Sequence, residues 1–221
     1  MNRSGWTLLL GDMGAGKTAT LSLLFLELSR LFLARQLPAV PVLVRLRDNW
    51  TPGDIEASLK RHVDEDILHR ILARDFGVVL LLDGLDEFAM QFGNSLSVVQ
   101  IADRVLQAPF LKHCAVVIST RPNVLSDLDR LDRYRHLFPK QYRLQDLQYT
   151  DVVDYVNAHN LKNIFDLFST DVKRLLNKPL FLYFFVTAAT TFVGPAQART
   201  PFADEVQLYD WFFWLVWGIC G

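Results

Sequence analysis

Cysteine is nearly absent from this 221-residue chain: Cys114 and Cys220 are the only two. Two thiols make neither a disulfide framework nor a four-ligand zinc site, so a reducing, cytoplasmic setting is the plain expectation. An excess of either charge is absent too. With 23 basic and 24 acidic side chains the net charge is -1, which argues against a domain that grips nucleic acid by its phosphates. Disorder is excluded from the other side, because 51% of the residues are hydrophobic and can fill a core. No apolar run reaches the roughly 20 residues that span a bilayer. The first such run, residues 7–10, is shorter than a signal-peptide core of roughly 7–15 residues and leads straight into a glycine loop, so no signal peptide is expected.

What is present divides cleanly by periodicity. Residues 7–10, closed by Gly11, read as a buried strand. Leucine and phenylalanine dominate residues 17–33 without Gly or Pro, which predicts a long helix, apolar on most sides and hence buried. Residues 40–46 read as a second strand, with Pro41 near its start. Ile55, Leu59, Ile67, Leu68, Ile71 and Leu72 recur at helical spacing, predicting an amphipathic helix over 54–74 capped by Asp54. Residues 78–82 are apolar at every position, as in a parallel strand covered on both faces. A helix over 96–106, a strand over 115–118 and a weaker one over 142–144 follow. Alternating strands and helices predict a parallel α/β sheet. Beyond Leu147 strand signals stop. Helices are expected from Thr150 and Asp151 to about His159, over 163–176, from Pro179 onward, and over 204–217. The expected division is an α/β domain over 1–148 and a small all-helical one over 149–221.

One motif carries specific chemistry. Gly11-Asp12-Met13-Gly14-Ala15-Gly16-Lys17-Thr18 fits the phosphate-loop pattern G-x-x-x-x-G-K-[ST]. Its glycines allow a backbone turn in which successive N–H groups face an anion. The helix that follows points its positive end at the same place. Lys17 would reach the β- and γ-phosphates and Thr18 would ligate Mg²⁺. The predicted strand before the loop and helix after it are the context the pattern requires.

The third strand ends in Asp83-Gly84-Leu85-Asp86-Glu87. An acid there sits at the carboxyl edge of the sheet, where open α/β folds bind ligands. Asp83 would hold Mg²⁺, usually through water. Asp86 or Glu87 would orient or deprotonate an attacking water, and the residues leave the choice between them open. Arg121 follows the fourth strand, where a cation would touch a γ-phosphate.

The pair GDMGAGKT (11–18) and LLLDGLDEF (80–88) resembles the NACHT domains, a branch of the signal-transducing STAND-class P-loop NTPases. VPVLVRLRD (40–48) is similar to that family's second strand. VVISTRPN (116–123) resembles its sensor strand and carries the sensor arginine onto Arg121. NKPLFL (177–182) resembles its helical-domain proline motif, with Pro179 against the nucleotide base and Asn177 where a glycine is common. VQLYDWFF (206–213) is similar to the last helix of the small domain. The resemblance implies a sheet in the order 5-1-4-3-2, ATP as the nucleotide, and a switch between a closed ADP form and an open, oligomerising ATP form. Full-length members continue into a winged-helix domain, a partner-recognising repeat region and an effector domain. This sequence contains none of them, so a nucleotide module truncated before those parts is expected.

Other residues carry less. His62, His69, His113, His136 and His159 are scattered and unaccompanied by cysteine. Cys114 reads as a small buried hydrophobe. Arg45 and Arg47 read as solvated edge residues. The aromatic segments 180–186 and 211–217 read first as core or interdomain packing. A membrane-contacting segment or a self-association surface ranks behind that. The expected function is a slow, Mg²⁺-dependent ATPase switch from a signalling or defence protein. The competing readings are an AAA-type ring ATPase, with Arg130, Arg133 or Arg135 as its finger, and a binding-only P-loop module.

Overall fold

A computed structural model describes residues 6–49, 59–73, 75, 77–91, 114–122 and 138–192. The chain divides into two compact units, Met1–Leu144 and Gln145–Gly221.

The first unit is built on a five-stranded, wholly parallel sheet. Its strands are β1 (Trp6–Leu10), β2 (Ala39–Arg45), β3 (Gly77–Asp83), β4 (Cys114–Thr120) and β5 (Lys140–Arg143). The order across the sheet is β2-β3-β4-β1-β5, the 5-1-4-3-2 arrangement read from its other edge. Period-two alternation assigns each face. Leu8, Val42, Val44, Leu80, Leu82, Val116 and Ile118 pack on one face with Trp6, Leu59, Leu68, Ile71, Phe88 and Phe138. Leu9 and Leu81, with Leu43, Val79 and Val117, meet Leu21, Leu24, Phe25 and Leu28 of helix α1 (Lys17–Leu33) on the other. Burial on both faces is why β3 reads as an unbroken apolar run. Strand β5 is exposed along its length, which is why its signal was weak.

Three expectations change. Helix α1 is not buried on most sides: Leu23, Leu26 and Leu33 face outward, because one sheet face takes only one stripe of a helix. The helix expected over 54–74 is broken within its described part. The Leu59 carbonyl accepts from the N–H groups of His62 and Val63, closing a turn. Asp64 is then extended, and α3 (Glu65–Leu72) starts afresh with Glu65 and Asp66 in its first turn, where acids favour the positive helix end. Short helices α2 (Leu46–Asn49) and α4 (Leu85–Gln91) follow β2 and β3. Asp54, the helix over 96–106, Arg130, Arg133, Arg135 and the segment 204–217 lie outside the described residues.

The second unit is helical throughout its described part: α5 (Tyr149–Ala158), α6 (Lys162–Phe165), α7 (Thr170–Leu175) and α8 (Pro179–Phe192). The Gln148 N–H donates to Asp151 Oδ2 at 3.2 Å, fastening the start of α5. The single helix expected over 163–176 is two, because Ser169 is extended and its hydroxyl accepts the Val172 N–H, capping α7. Pro179 opens α8, where its missing N–H costs nothing. Val152, Val156, Phe165, Phe168, Val172, Leu176, Phe181 and Phe185 form this unit's core. Among the described residues no helix is long and apolar enough to cross a membrane.

Candidate nucleotide-binding site

Parallel pairing brings the strand ends to one edge. The register sets Leu10 beside Thr120 and Arg143, and Arg45 beside Asp83. The loop Gly11–Thr18 leaves β1 at that edge. Gly14 (φ 78°) and Gly16 (φ 90°) hold left-handed backbone, a conformation that other residues adopt only with strain. Gly11 is needed for a second reason: a Cβ there would sit 3.0 Å from Lys17 Cγ and 3.2 Å from Ala15 Cβ. The Gly11 N–H donates to the Thr120 carbonyl at 3.2 Å, tying the loop to the end of β4. Asp12 and Met13 are exposed, while Ala15 is buried beneath the loop.

Lys17 lies among charges. Its ammonium donates to the carbonyls of Gly11 (2.7 Å) and Asp12 (3.1 Å). Burial pulls its pKa below the usual lysine range. Asp86 opposes that most strongly, Arg121 adds to it, and Asp83 and Glu87 oppose it. A cation so placed, inside a glycine turn at a helix start, is suited to a phosphate oxygen.

The acidic residues occupy two distinct settings. Asp83, at the end of β3, is nearly buried with both oxygens engaged. Thr18 Oγ1 donates to its Oδ2 at 2.8 Å and Ser119 Oγ donates to its Oδ1 at 2.6 Å. The Ser119 hydroxyl in turn accepts the Gly84 N–H at 2.9 Å, where the backbone (φ 80°) turns into α4. Thr18 and Asp83 thus present a hydroxyl and a carboxylate together, the oxygen donor set that Mg²⁺ favours. Asp86 is buried, and Arg121 Nε lies 2.8 Å from its Oδ2. That contact is an ion pair only: Arg121 Nε and Asp86 Oδ1 both lack a hydrogen-bond partner, as does the buried Thr120 hydroxyl. Glu87 is half-exposed, with Arg47 Nη1 4.0 Å from its Oε2.

The first unit therefore brings Gly11–Thr18, Asp83, Asp86, Glu87 and Arg121 to one sheet edge. Pro179 belongs to the second unit, at the first position of α8. The sequence reading missed Ser119 and the pairing of Arg121 with Asp86. Ser119 had a signal, a hydroxyl closing an otherwise apolar strand. The pairing had none, since it arises from a crossover. Cys114 is inert, as burial pushes its thiol up to about 12. Among the described residues no cluster of His, Cys, Asp and Glu is arranged to hold a metal. A magnesium here would be held instead by Thr18 and Asp83, together with phosphate oxygens.

The sequence matches the NACHT domain family over residues 6–163. The chain belongs to the NACHT domain family. No curated protein matches it. A solved structure of the Aeropyrum pernix ORC1 protein in complex with DNA is similar in fold at a TM-score of 0.55. It is 14% identical, over 93% of this chain and 58% of that one. A crystal structure of Cdc6p from Pyrobaculum aerophilum matches at 0.47 and 22% identity, over 84% of this chain and 55% of that one. The NACHT chain thus spans a little over half the length of either neighbour. Family membership and the phosphate loop make it a nucleotide-binding module of the P-loop NTPase class.

Proposed function

We propose that this NACHT chain is a Mg²⁺-dependent ATPase of low turnover whose nucleotide state controls assembly, within a signalling or defence protein. The observation that carries the enzymatic part is the 2.8 Å hydrogen bond from Thr18 to Asp83. It joins the two motifs across 65 residues of sequence. The loop N–H groups and Lys17 would bind the β- and γ-phosphates. Thr18 and Asp83 would hold Mg²⁺, whose charge offsets that building on the phosphate oxygens. Glu87, half-exposed at the sheet edge, is better placed than the buried Asp86 to take a proton from water. By the family's proline motif, Pro179 would pack on the nucleotide base. Membership of the NACHT family supports the switching and signalling parts, and supports ATP over GTP.

Two variants test this reading. Lys17→Ala should abolish ATP binding in isothermal titration, and wild-type affinity in that variant would sink the site assignment. Glu87→Gln should keep binding and slow single-turnover hydrolysis about 100-fold or more. If Asp86→Asn slows the step instead and Glu87→Gln does not, the two acids exchange roles.

A further inference from the structure

We propose that Asp86 competes with the terminal phosphate of a nucleoside triphosphate for Arg121, and so sets how sharply the site distinguishes a triphosphate from a diphosphate. The inference rests on the reading of Gly11–Thr18 as a phosphate cradle.

Position comes first. Arg121 directly follows Thr120, whose carbonyl holds the first N–H of the loop. Arg121 and Asp86 both act electrostatically on Lys17, so all three share one neighbourhood with the loop. On that reading a terminal phosphate would enter that neighbourhood, and a diphosphate would end one phosphate short of it.

The geometry of the pair then separates it from a structural salt bridge. Arg121 Nε approaches Asp86 Oδ2 to 2.8 Å, yet its N–H is not aimed at the carboxylate and makes no hydrogen bond. Asp86 Oδ1 is buried and lacks a partner as well. A permanent buried pair would satisfy these atoms, as the Asp83 carboxylate three residues earlier does with Thr18 and Ser119. The Arg121–Asp86 contact is close enough to hold the guanidinium and too poorly aligned to bind it at full strength. A phosphate offers three strong acceptor oxygens to the guanidinium fork, a better match than this carboxylate presents.

Burial supplies the asymmetry that makes the exchange informative. The Asp86 side chain is 2% exposed and that of Arg121 is 27% exposed. Only the arginine has room to swing. Asp86, left behind, keeps the attraction of Lys17, the cation on which it already acts most strongly of the acids. Asp86 is thus a positioning residue: it acts on the phosphate through Arg121. The net preference for a triphosphate is the phosphate–Arg121 attraction less the Asp86–Arg121 attraction.

The test measures affinities of the full 221-residue chain for a non-hydrolysable ATP analogue and for ADP, both with Mg²⁺, by isothermal titration. Asp86→Asn keeps the shape and removes the charge. It should tighten the analogue about tenfold relative to ADP. In an Arg121→Gln background the same substitution should leave the analogue-to-ADP ratio unchanged, because no cation remains to be released. A shift of equal size in both backgrounds would mean simple charge repulsion and would overturn the proposal, as would no shift in either. Should Asp86→Asn fail to fold, Asp86→Ser takes its place in the same two backgrounds, with the same expected and overturning outcomes. Wild-type chain that binds neither nucleotide refutes the phosphate cradle, and this inference with it. Tight wild-type binding with an unmoved ratio refutes the competition alone.

Discussion

The two units of the chain bury different kinds of side chain. Among the described residues the polar side chains buried as whole residues are Asp83, Asp86, Ser119 and Thr120, all in the first unit and all at or just past the carboxyl ends of β3 and β4. The second unit's core is apolar throughout, with Phe165, Phe168 and Phe185 in edge-to-face contact at 6.4 and 5.0 Å between centroids. Burying a polar group is unfavourable unless it is paired, and an apolar substitute of the same shape is often as stable or more so. The first unit therefore gathers its buried polar residues at the candidate site, whereas the second unit's core cluster is built from apolar side chains.

Three substitutions would break or sharpen that contrast. The largest effect is expected from Phe185→Ala, which empties a fully buried site beside Phe168. It should destabilise the second unit by about 3–5 kcal/mol. Hydrogen exchange should then show α5 and α8 losing protection while the sheet keeps its own. Equal loss in both units would mean they do not stand independently, and the contrast would fail. Next comes Ser119→Ala. It strips a hydrogen bond from Asp83 Oδ1 and from the Gly84 N–H together, and should cost about 1–3 kcal/mol in thermal melting. A variant as stable as wild type would show the polar cluster to be merely tolerated. The smallest is Ser169→Ala, which removes the cap of α7 and should cost about 1 kcal/mol. A larger loss would make that capping turn a keystone of the second unit.

The sequence disclosed the sheet and the phosphate loop because both depend on local pattern. Residues 78–82 are apolar at every position, and β3 is covered on both faces. The glycines of 11–18 sit where the backbone turns left-handed. Two helix breaks were hidden, at Asp64 and Ser169, because the apolar spacing runs on through each while the backbone there turns extended; at Ser169 the hydroxyl also caps the helix that follows. The outward leucines of α1 were misread as core because periodicity counts apolar positions and not the area available to receive them. The hydrogen bond of Ser119 to Asp83 and the meeting of Arg121 with Asp86 were illegible for a different reason. Each joins residues 35 or 36 apart through the neighbouring position of β3 and β4, and no local window contains both.

That strand placement has a bearing on the order of folding. Strand β4 lies between β1 and β3, so the Thr18–Asp83 contact reaches across a strand that the chain supplies later than either. Parallel strands stand about 4.8 Å apart, so omitting the middle one leaves no ladder to hold its neighbours in register. A polypeptide growing from its amino terminus has made both motifs by residue 88, but β4 spans Cys114–Thr120. Both halves of the site are thus expected to stay unjoined until that strand inserts. Non-local closures of this kind slow folding. The hydroxyl-to-carboxylate contact is accordingly a marker for the joining of β1 to β3 through β4, a step that precedes the arrival of edge strand β5.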